Sequence, residues 1–436
     1  MHPQTPRPAR RRVHYGADVF ELQRFSNGTR LLTAPQSEAQ STCVMVMYAV
    51  GSRYETDETG GISHFAEHLF FKGTERRPTA RDIASEIDGI GAEFNAFTGK
   101  EYTGYYVKCA KEHVPIAIDV LGDMLLHSLF DAEEIEREKG VIVEEMNMYV
   151  DTPTAYLPSV YDRLCYGDTP LGRDIIGTKE TVGAATRETF MRHLARWYVP
   201  ARTVIGLGGA VTATARSLVE GLFGTLPAAE SDPPAPWKPE PHPRVRLHHK
   251  DSDSLHLRIG GDGLPLLHPD RYAASVLSAV LGGGMSSRLF TEVRERRGLA
   301  YYISAQHGQY VEAGSLFSQA GVDIKRADEA VTTIVAELQR IVNERVPDDE
   351  LTKARNLLKG RLVLGLEDPR SIVGFGLRTT LLEGAPREVP EVLAGYDAVT
   401  AEDVARVAQM LLAPEKLRIA AIGPIDDEAR FEALLA

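Results

Sequence analysis

Two histidines and a glutamate share one short apolar stretch, residues 60–74 (GGISHFAEHLFFKGT). His64 and His68 are four positions apart, so on a helix their imidazoles lie on one face, about 40° apart around the axis and ~6 Å apart along it. Two imidazoles placed in this way are suited to sharing one zinc ion. Glu67 lies near the same face, where its carboxylate can reach a water held by the metal. The pattern therefore predicts a hydrolytic zinc site.

The apolar setting of this motif strengthens the prediction. Most of the other side chains in the stretch are large and apolar, so the helix is expected to be buried. Burying an unpaired glutamate beside two imidazoles costs several kcal/mol unless something compensates for the charge. A cation held by the histidines would do so, whereas a chance combination of these residues would leave that cost unbalanced.

A third protein ligand and one open position complete a zinc site of this kind. The segment IEREKGVIVEEMNMY, residues 135–149, is predicted to belong to a long charged amphipathic helix. Glu138 and Glu145 are seven residues apart and so lie on one stripe of that helix. One of them is expected to bind the metal and the other to hydrogen-bond a ligating histidine. Spacing alone leaves open which glutamate has which role.

The elements that must position these residues form two similar series. The proline-rich segment 228–243 (AAESDPPAPWKPEPHP) favours extended chain and forbids a helix. It predicts a linker at 228–243 between a zinc-binding domain at 16–227 and a second domain at 244–436. The basic, proline-rich start predicts a disordered tail at 1–15. Each domain follows the order strand, helices, hairpin, helix, charged helix. This order predicts a duplicated α+β fold, each domain an antiparallel, partly mixed sheet with helices on one face.

Composition excludes several classes of protein. The chain has 436 residues and a formal net charge of −12, which argues against a surface that neutralises nucleic-acid phosphates. The three cysteines are far apart, so neither a disulfide framework nor a thiolate zinc cluster is expected. The basic, proline-rich start is not followed by the apolar run of a secretory signal, and no apolar stretch is long enough to span a membrane. We expect a cytoplasmic protein without nucleic-acid or membrane partners.

With these residues in view, the chain resembles the inverzincin metallopeptidases, the M16-type family of pitrilysin, insulin-degrading enzyme and the mitochondrial processing peptidase, in a short two-domain bacterial-like form. The family's HxxEH signature stands here as His64-Phe-Ala-Glu67-His68. The resemblance implies one zinc ion per chain. It also implies that Glu145 is the third ligand, with Glu144 as the fallback, and that Glu138 supports the site.

Two further segments carry the same resemblance. The hairpin segment NAFT resembles the edge strand along which the family lays its substrate, which implies substrate contacts from Asn95, Ala96 and Phe97. Beyond the linker, GGGMSSRLFTEVRERRGLAYYIS resembles the segment whose arginine and tyrosine reach across to the zinc in active members. These two residues correspond to Arg294 and Tyr301, which the resemblance implies are catalytic.

The implied function is that of a zinc-dependent endopeptidase acting on unfolded or short polypeptides, with Glu67 as the general base. The resembled fold is half of a clamshell, so a second chain is needed. A homodimer is sufficient because one sequence holds both the HxxEH set and the Arg/Tyr pair, and a heterodimer with a paralogous subunit is the alternative. Two other functions stay open: a non-catalytic core-type assembly subunit, and a zinc hydrolase of a non-peptide amide or ester.

Overall fold

A computed structural model describes residues 19–229, 233–239 and 242–435. The predicted tail, residues 1–15, lies outside the described residues, as do parts of the predicted linker. The described chain forms two β-sheets with helices packed around them. Over these residues, no helix is both long enough and apolar enough to cross a membrane.

The first sheet has six strands. They are β1 (Glu21–Arg24), β2 (Arg30–Pro35), β3 (Ser41–Tyr48), β4 (Glu93–Thr98), β5 (Thr103–Ala110) and β6 (Thr203–Gly209). Their order across the sheet is β1-β2-β6-β3-β5-β4. β2 and β6 run parallel, and all other neighbours are antiparallel. β4, which carries the NAFT segment, is therefore an edge strand.

Eight α-helices lie within the described residues 19–229. They are α1 (Ile62–Phe70), α2 (Ala80–Gly89), α3 (Val114–His127), α4 (Ala132–Asp151), α5 (Pro153–Tyr166), α6 (Lys179–Ala184), α7 (Arg187–Trp197) and α8 (Ala213–Phe223). The HxxEH motif lies on α1 and the charged glutamate stripe on α4, as predicted. α1 contacts both α4 and β4, so these three elements together surround the motif.

The second sheet has five strands. They are β7 (Val245–His249), β8 (Ser254–Asp262), β9 (Ala300–Gln309), β10 (Gly314–Asp323) and β11 (Arg418–Gly423), in the order β7-β11-β8-β10-β9. The helices are α9 (Arg271–Gly282), α10 (Ala327–Asn343), α11 (Asp348–Gly365), α12 (Pro369–Glu383), α13 (Val389–Ala398), α14 (Ala401–Leu411) and α15 (Glu428–Leu434). A π-helix spans Phe290–Arg296.

The two sheets repeat one topology. The run β2-β6-β3-β5-β4 of the first sheet corresponds to β7-β11-β8-β10-β9 of the second. Each run begins with a parallel pair and continues with three antiparallel neighbours. The duplicated α+β fold predicted from the order of elements is thereby confirmed.

Each sheet also receives one helix from the other half of the chain. α12 packs on β2, β3 and β6, and α5 packs on β7, β8 and β11. In β3, the buried side chains alternate between the two faces: Val44 and Val46 join the core that includes α1, whereas Met45 and Met47 join the core that includes α12. The sequence predicted helices on one face of each sheet, and this exchange adds a helix on the second face.

Close contact between α12 and the first sheet depends on glycines in β6. A Cβ atom on Gly206 would lie 2.3 Å from Cγ2 of Val373, and one on Gly208 would lie 2.5 Å from the carbonyl oxygen of Pro369. Both distances are far below van der Waals contact, so the helix packs directly on the strand backbone. The glycines of TVIGLGG therefore have a packing role here.

Candidate metal centre

Helix α1 is held at its first turn by a buried carboxylate. Glu55 accepts hydrogen bonds from the backbone N–H groups of Gly61 at 2.7 Å and Ser63 at 2.8 Å. Burial raises the pKa of Glu55 to about 7, against the opposing effect of these bonds. Gly61 has φ 88, a left-handed conformation that favours glycine at this N-cap. Because Phe65 and Leu69 are buried below, the polar side of α1 is turned toward α4 and β4.

Three predicted ligands converge beside α1. Nε2 of His64 lies 3.7 Å from Oε2 of Glu145, and Nε2 of His68 lies 3.5 Å from the same oxygen. One ligand atom from each of the three residues lies within 4.8 Å of the other two. Donor atoms around a tetrahedral zinc ion are about 3.3 Å apart, given bonds of ~2.0–2.1 Å. The three side chains therefore fit a zinc ion with one position open.

The protonation of this cluster also suits a metal. Burial, reinforced by the neighbouring His68, lowers the pKa of His64 to about 3. His64 is consequently a neutral imidazole at ordinary pH, which is the form that binds a cation. The ring centroids of His64 and His68 lie 4.7 Å apart, so the two imidazoles are close enough to share one cation.

The structure distinguishes the positions of Glu138 and Glu145, whose roles the spacing left open. Glu138 is 3% exposed and lies against the other nitrogen of His68, with 2.9 Å between Nδ1 and Oε1. Its second oxygen pairs with Nζ of Lys72 at 2.6 Å. Burial alone would raise the pKa of Glu138, but the bonds to His68 and Lys72 outweigh burial and lower it. Glu145 faces the open side of both imidazoles, whereas Glu144, the fallback, is exposed to solvent.

Glu67 is fixed by a residue that sequence reasoning missed. The hydroxyl of Thr98, on edge strand β4, donates a hydrogen bond to Oε2 of Glu67. Burial raises the pKa of the Glu67 carboxyl, while the bond from Thr98 and the nearby His68 lower it. The signal that could have found Thr98 is the alternation of strand side chains, which places it on the same face as Phe94 and Ala96.

The three residues predicted to bind substrate lie on β4 with alternating orientation. Ala96 packs with the core that includes α1, whereas Phe97 packs with the core that includes α12. Asn95 is exposed, and its side-chain oxygen accepts a hydrogen bond from the backbone N–H of Ala96 at 2.8 Å. β4 pairs only with β5, so within the described chain its outer edge has no strand partner.

Arg294 and Tyr301 lie in the other half of the chain. Arg294 is on the π-helix, with its guanidinium carbon 4.9 Å from the ring centroid of Phe290. Tyr301 is on β9 and is 62% exposed. Among the described residues, no hydrogen bond, ion pair or ring contact joins either side chain to the His64 cluster. Within the described chain this pair therefore makes no direct contact with the predicted metal site.

Comparison with known proteins agrees with the geometry. Residues 30–179 match the family model described as Insulinase (Peptidase family M16), and residues 184–358 match Peptidase M16 inactive domain. The uncharacterized zinc protease YmxG of Bacillus subtilis is 36% identical over 398 residues, covering 91% of this chain and 97% of its own length. The chain belongs to peptidase family M16. An uncharacterized zinc protease of Streptomyces coelicolor is 35% identical over 423 residues, covering 95% of this chain and 92% of its own.

Solved structures share the M16 fold at lower identity. A protease from Helicobacter pylori superposes with a TM-score of 0.85 at 20% identity, covering 93% of this chain and 99% of its own. Complex III2 from Candida albicans contains a chain that superposes with a TM-score of 0.82 at 17% identity, covering 95% of this chain and 99% of its own. In this M16 chain, the predicted metal cluster falls within the Insulinase match, and Arg294 and Tyr301 fall within the match to the inactive domain.

Proposed function

We propose that this M16 chain is a zinc-dependent endopeptidase that cleaves unfolded or short polypeptides and binds one zinc ion per chain. The observation that carries the proposal is the convergence of His64, His68 and Glu145, with Glu67 on the same helix face and one position left open. The curated relatives that match most of the chain are named zinc proteases, which supports the choice of metal and reaction.

Each residue of the cluster has a defined task. A zinc ion, when bound, supplies a water of lowered pKa and a positive charge near the scissile carbonyl. Glu67 would take a proton from the water that attacks the scissile carbonyl and would pass it to the leaving nitrogen. Thr98 holds one oxygen of Glu67 by a hydrogen bond, which leaves the other oxygen of the carboxylate to act as the base. Glu138 accepts the hydrogen on Nδ1 of His68 and thereby presents Nε2 to the metal.

The substrate is proposed to bind as an added strand. The outer edge of β4 offers backbone groups next to Thr98, which itself touches the general base. A peptide that pairs with Asn95, Ala96 and Phe97 would gain backbone hydrogen bonds whatever its sequence. Only extended chain can pair in this way, which is why unfolded or short polypeptides are the expected substrates.

Arg294 and Tyr301 are proposed to act on the metal site of a second copy of the chain. The proposal is supported by the lack of any contact between this pair and the cluster within the described chain and by the presence of both sets in one sequence. A mixture of Glu67→Gln and Tyr301→Phe chains tests it, because each mixed dimer would hold one intact site. Equal mixing should restore about one quarter of wild-type activity. No recovery, or an active species of monomer mass in light scattering, would contradict the homodimer.

A reducing, cytoplasmic setting is part of the same proposal. Cys43, Cys109 and Cys165 are all buried and unpaired. Burial raises the pKa of the Cys43 thiol to about 12 and that of the Cys109 thiol to about 11, so neither is readily oxidised. Immunodetection of the protein in fractionated cells tests the setting, and recovery outside the cytoplasmic fraction would contradict it.

Metal content and peptide turnover, measured on the same purified sample, test the proposed function directly. We expect one zinc per chain, cleavage of quenched fluorescent peptides and loss of activity with a chelator. Glu67→Gln should retain the metal and lose at least ~10²-fold in turnover, because the general base is removed. Turnover at the wild-type rate in that variant would refute the base assignment. Absence of both metal and turnover would favour an assembly subunit, and cleavage of esters alone would favour a non-peptide hydrolase.

A further inference from the structure

A second concave site lies on the opposite face of β4 from the general base. It is a groove of about 390 Å³ between edge strand β4 and helix α12, which comes from the other half of the chain. Asn95 and Phe97 form its strand wall, and Arg370, Gly374 and Arg378 form its helix wall. We call it the β4–α12 groove. The zinc chemistry described above uses none of these helix residues.

The helix wall of the groove is cationic. Arg370, Gly374 and Arg378 are four residues apart in sequence, which aligns them on one side of α12. Nη1 of Arg370 donates a hydrogen bond to the hydroxyl of Tyr106 at 2.7 Å, and Tyr106 is the cross-strand partner of Asn95. Arg378 is half-buried, and among the described residues it has neither a hydrogen bond nor an ion pair.

The nearest acidic groups already have other partners. Asp368 is ion-paired with Lys108 and also caps the first turn of α12. Glu101 is ion-paired with the buried Arg53 and accepts the backbone N–H of Val311 at 3.0 Å. Glu101 and Asp368 act electrostatically on the arginines of the groove wall, but neither carboxylate forms an ion pair with them. The guanidinium groups therefore remain able to pair with an added carboxylate.

Two glycines of α12 show that the groove is kept open. A Cβ atom on Gly376 would lie 2.6 Å from a ring carbon of Phe20, so packing requires glycine there. A Cβ atom on Gly374 would meet only the end of the Met45 side chain, at 3.9 Å or more. Packing therefore does not require Gly374, even though glycine inside a helix costs about 1 kcal/mol relative to alanine. What its missing side chain provides is space between α12 and β4.

We propose that the β4–α12 groove binds a carboxylate side chain of the peptide substrate and that Arg378 is a specificity-determining residue. This inference rests on the proposed function. Side chains of a strand added beside β4 alternate between faces, so every second residue points the same way as Asn95 and Phe97, toward α12. An aspartate or glutamate at such a position reaches a half-buried guanidinium that no hydrogen bond or ion pair of the described residues engages, and desolvation there strengthens the pairing.

Peptide libraries give the first test. The substrates are acetylated and amidated quenched peptides that differ only by glutamate, glutamine or lysine at one of several consecutive positions around the cleavage site. We expect glutamate to raise kcat/KM about tenfold over glutamine, the lower range for a charged hydrogen bond, at alternating positions only. Absence of a glutamate preference, or one equal at all consecutive positions, would overturn the proposal.

Variants of the helix wall give the second test. Arg378→Gln should abolish the glutamate preference, and Arg378→Glu should convert it into a lysine preference. Gly374→Leu should reduce the preference by filling the groove, whereas Gly374→Ala should retain it. The matched control is Arg340→Gln on α10, whose side chain pairs with Glu344 at 2.9 Å and lies outside the groove. A glutamate preference that survives in Arg378→Gln would refute the assignment.

Two further arms keep this result separate from the proposed function. The carboxylate that Arg378 binds could instead be the C-terminus of the peptide. A peptide without glutamate but with a free C-terminal carboxylate tests this. If only the cleavage of that peptide depends on Arg378, the side-chain assignment is overturned. If no peptide is cleaved, the proposed function fails. The groove is then tested by fluorescence anisotropy of the same peptides bound to Glu67→Gln protein, where about tenfold weaker binding of glutamine than of glutamate peptides is expected.

Discussion

Replacing Glu138 by glutamine tests how the structure divides the two glutamates of α4. The carboxylate of Glu138 is buried and satisfies two donors, Nδ1 of His68 at 2.9 Å and Nζ of Lys72 at 2.6 Å. Glutamine has the same shape but only one acceptor atom. Whichever way the amide turns, its NH₂ group faces either the imidazole N–H or the ammonium, so one donor opposes another.

The size of the effect follows from these contacts. Loss of one charge-assisted hydrogen bond is worth about 1.5–3 kcal/mol, and the imidazole that loses its partner also becomes a weaker ligand. We expect Glu138→Gln to raise the Kd for zinc roughly 10- to 100-fold. Glu145→Gln removes a charged donor from the cluster itself and should weaken zinc binding more than ~100-fold. Lys72→Met leaves the His68–Glu138 contact in place and should retain zinc.

Competition with a chromogenic chelator near neutral pH measures all three dissociation constants. Thermal unfolding of the metal-free proteins shows whether each variant is folded, so that lost zinc is not confused with lost structure. The reasoning is wrong if Glu138→Gln weakens zinc binding as much as Glu145→Gln does. It is equally wrong if Glu138→Gln binds zinc as tightly as the wild type.

Three further substitutions probe the surroundings of the site. Thr98→Val removes a hydrogen-bond donor to Glu67 and thereby raises the pKa of the base. We expect kcat to fall about tenfold and the acid limb of its pH profile to move to higher pH. An unchanged pH profile would contradict this. Burial lowers the pKa of His193 from 6.5 to about 3, so its contribution to stability is complete above pH 6.5 and declines as pH falls. Urea unfolding should show that His193→Gln loses ~2 kcal/mol less free energy of unfolding than the wild type between pH 6.5 and about 5. An equal loss in the two proteins would refute this. Gly208→Ala places a Cβ atom 2.5 Å from the carbonyl oxygen of Pro369 and should destabilise the protein by roughly 1–3 kcal/mol, whereas no loss in denaturant midpoint would show that α12 moves freely.

The parts of the site that lie within one helix could be predicted from sequence, because helical geometry fixes their relation. The helical repeat of α1 alone fixes the relative positions of His64, Glu67 and His68. The repeat of α4 likewise fixes the stripe formed by its two glutamates seven residues apart. The roles of Glu138 and Glu145 depend on how α4 lies against α1, and spacing within α4 contains no information about that. Family resemblance supplied an assignment, and the contact between Glu138 and the second nitrogen of His68 supplies a physical reason.

Other features depend on packing across long sequence separations. Strand alternation places Thr98 on the same face of β4 as Phe94. Which of the two faces meets α1 could not be read from NAFT, because apolar side chains occur on both, as Phe94 and Phe97 show. α12 on the first sheet was not predicted, since only the glycines of β6 hint that another backbone approaches there.

The exchange of α5 and α12 makes the two halves inseparable by a single cut. A protease that nicks the chain within residues 228–243 would leave two fragments, each with one of its helices inserted in the other. The nicked protein should migrate as one particle in native conditions and fall into two pieces only in denaturant. A gene divided at the same place would yield two fragments, each with one apolar sheet face exposed. The fragments should therefore be soluble only when they are expressed together.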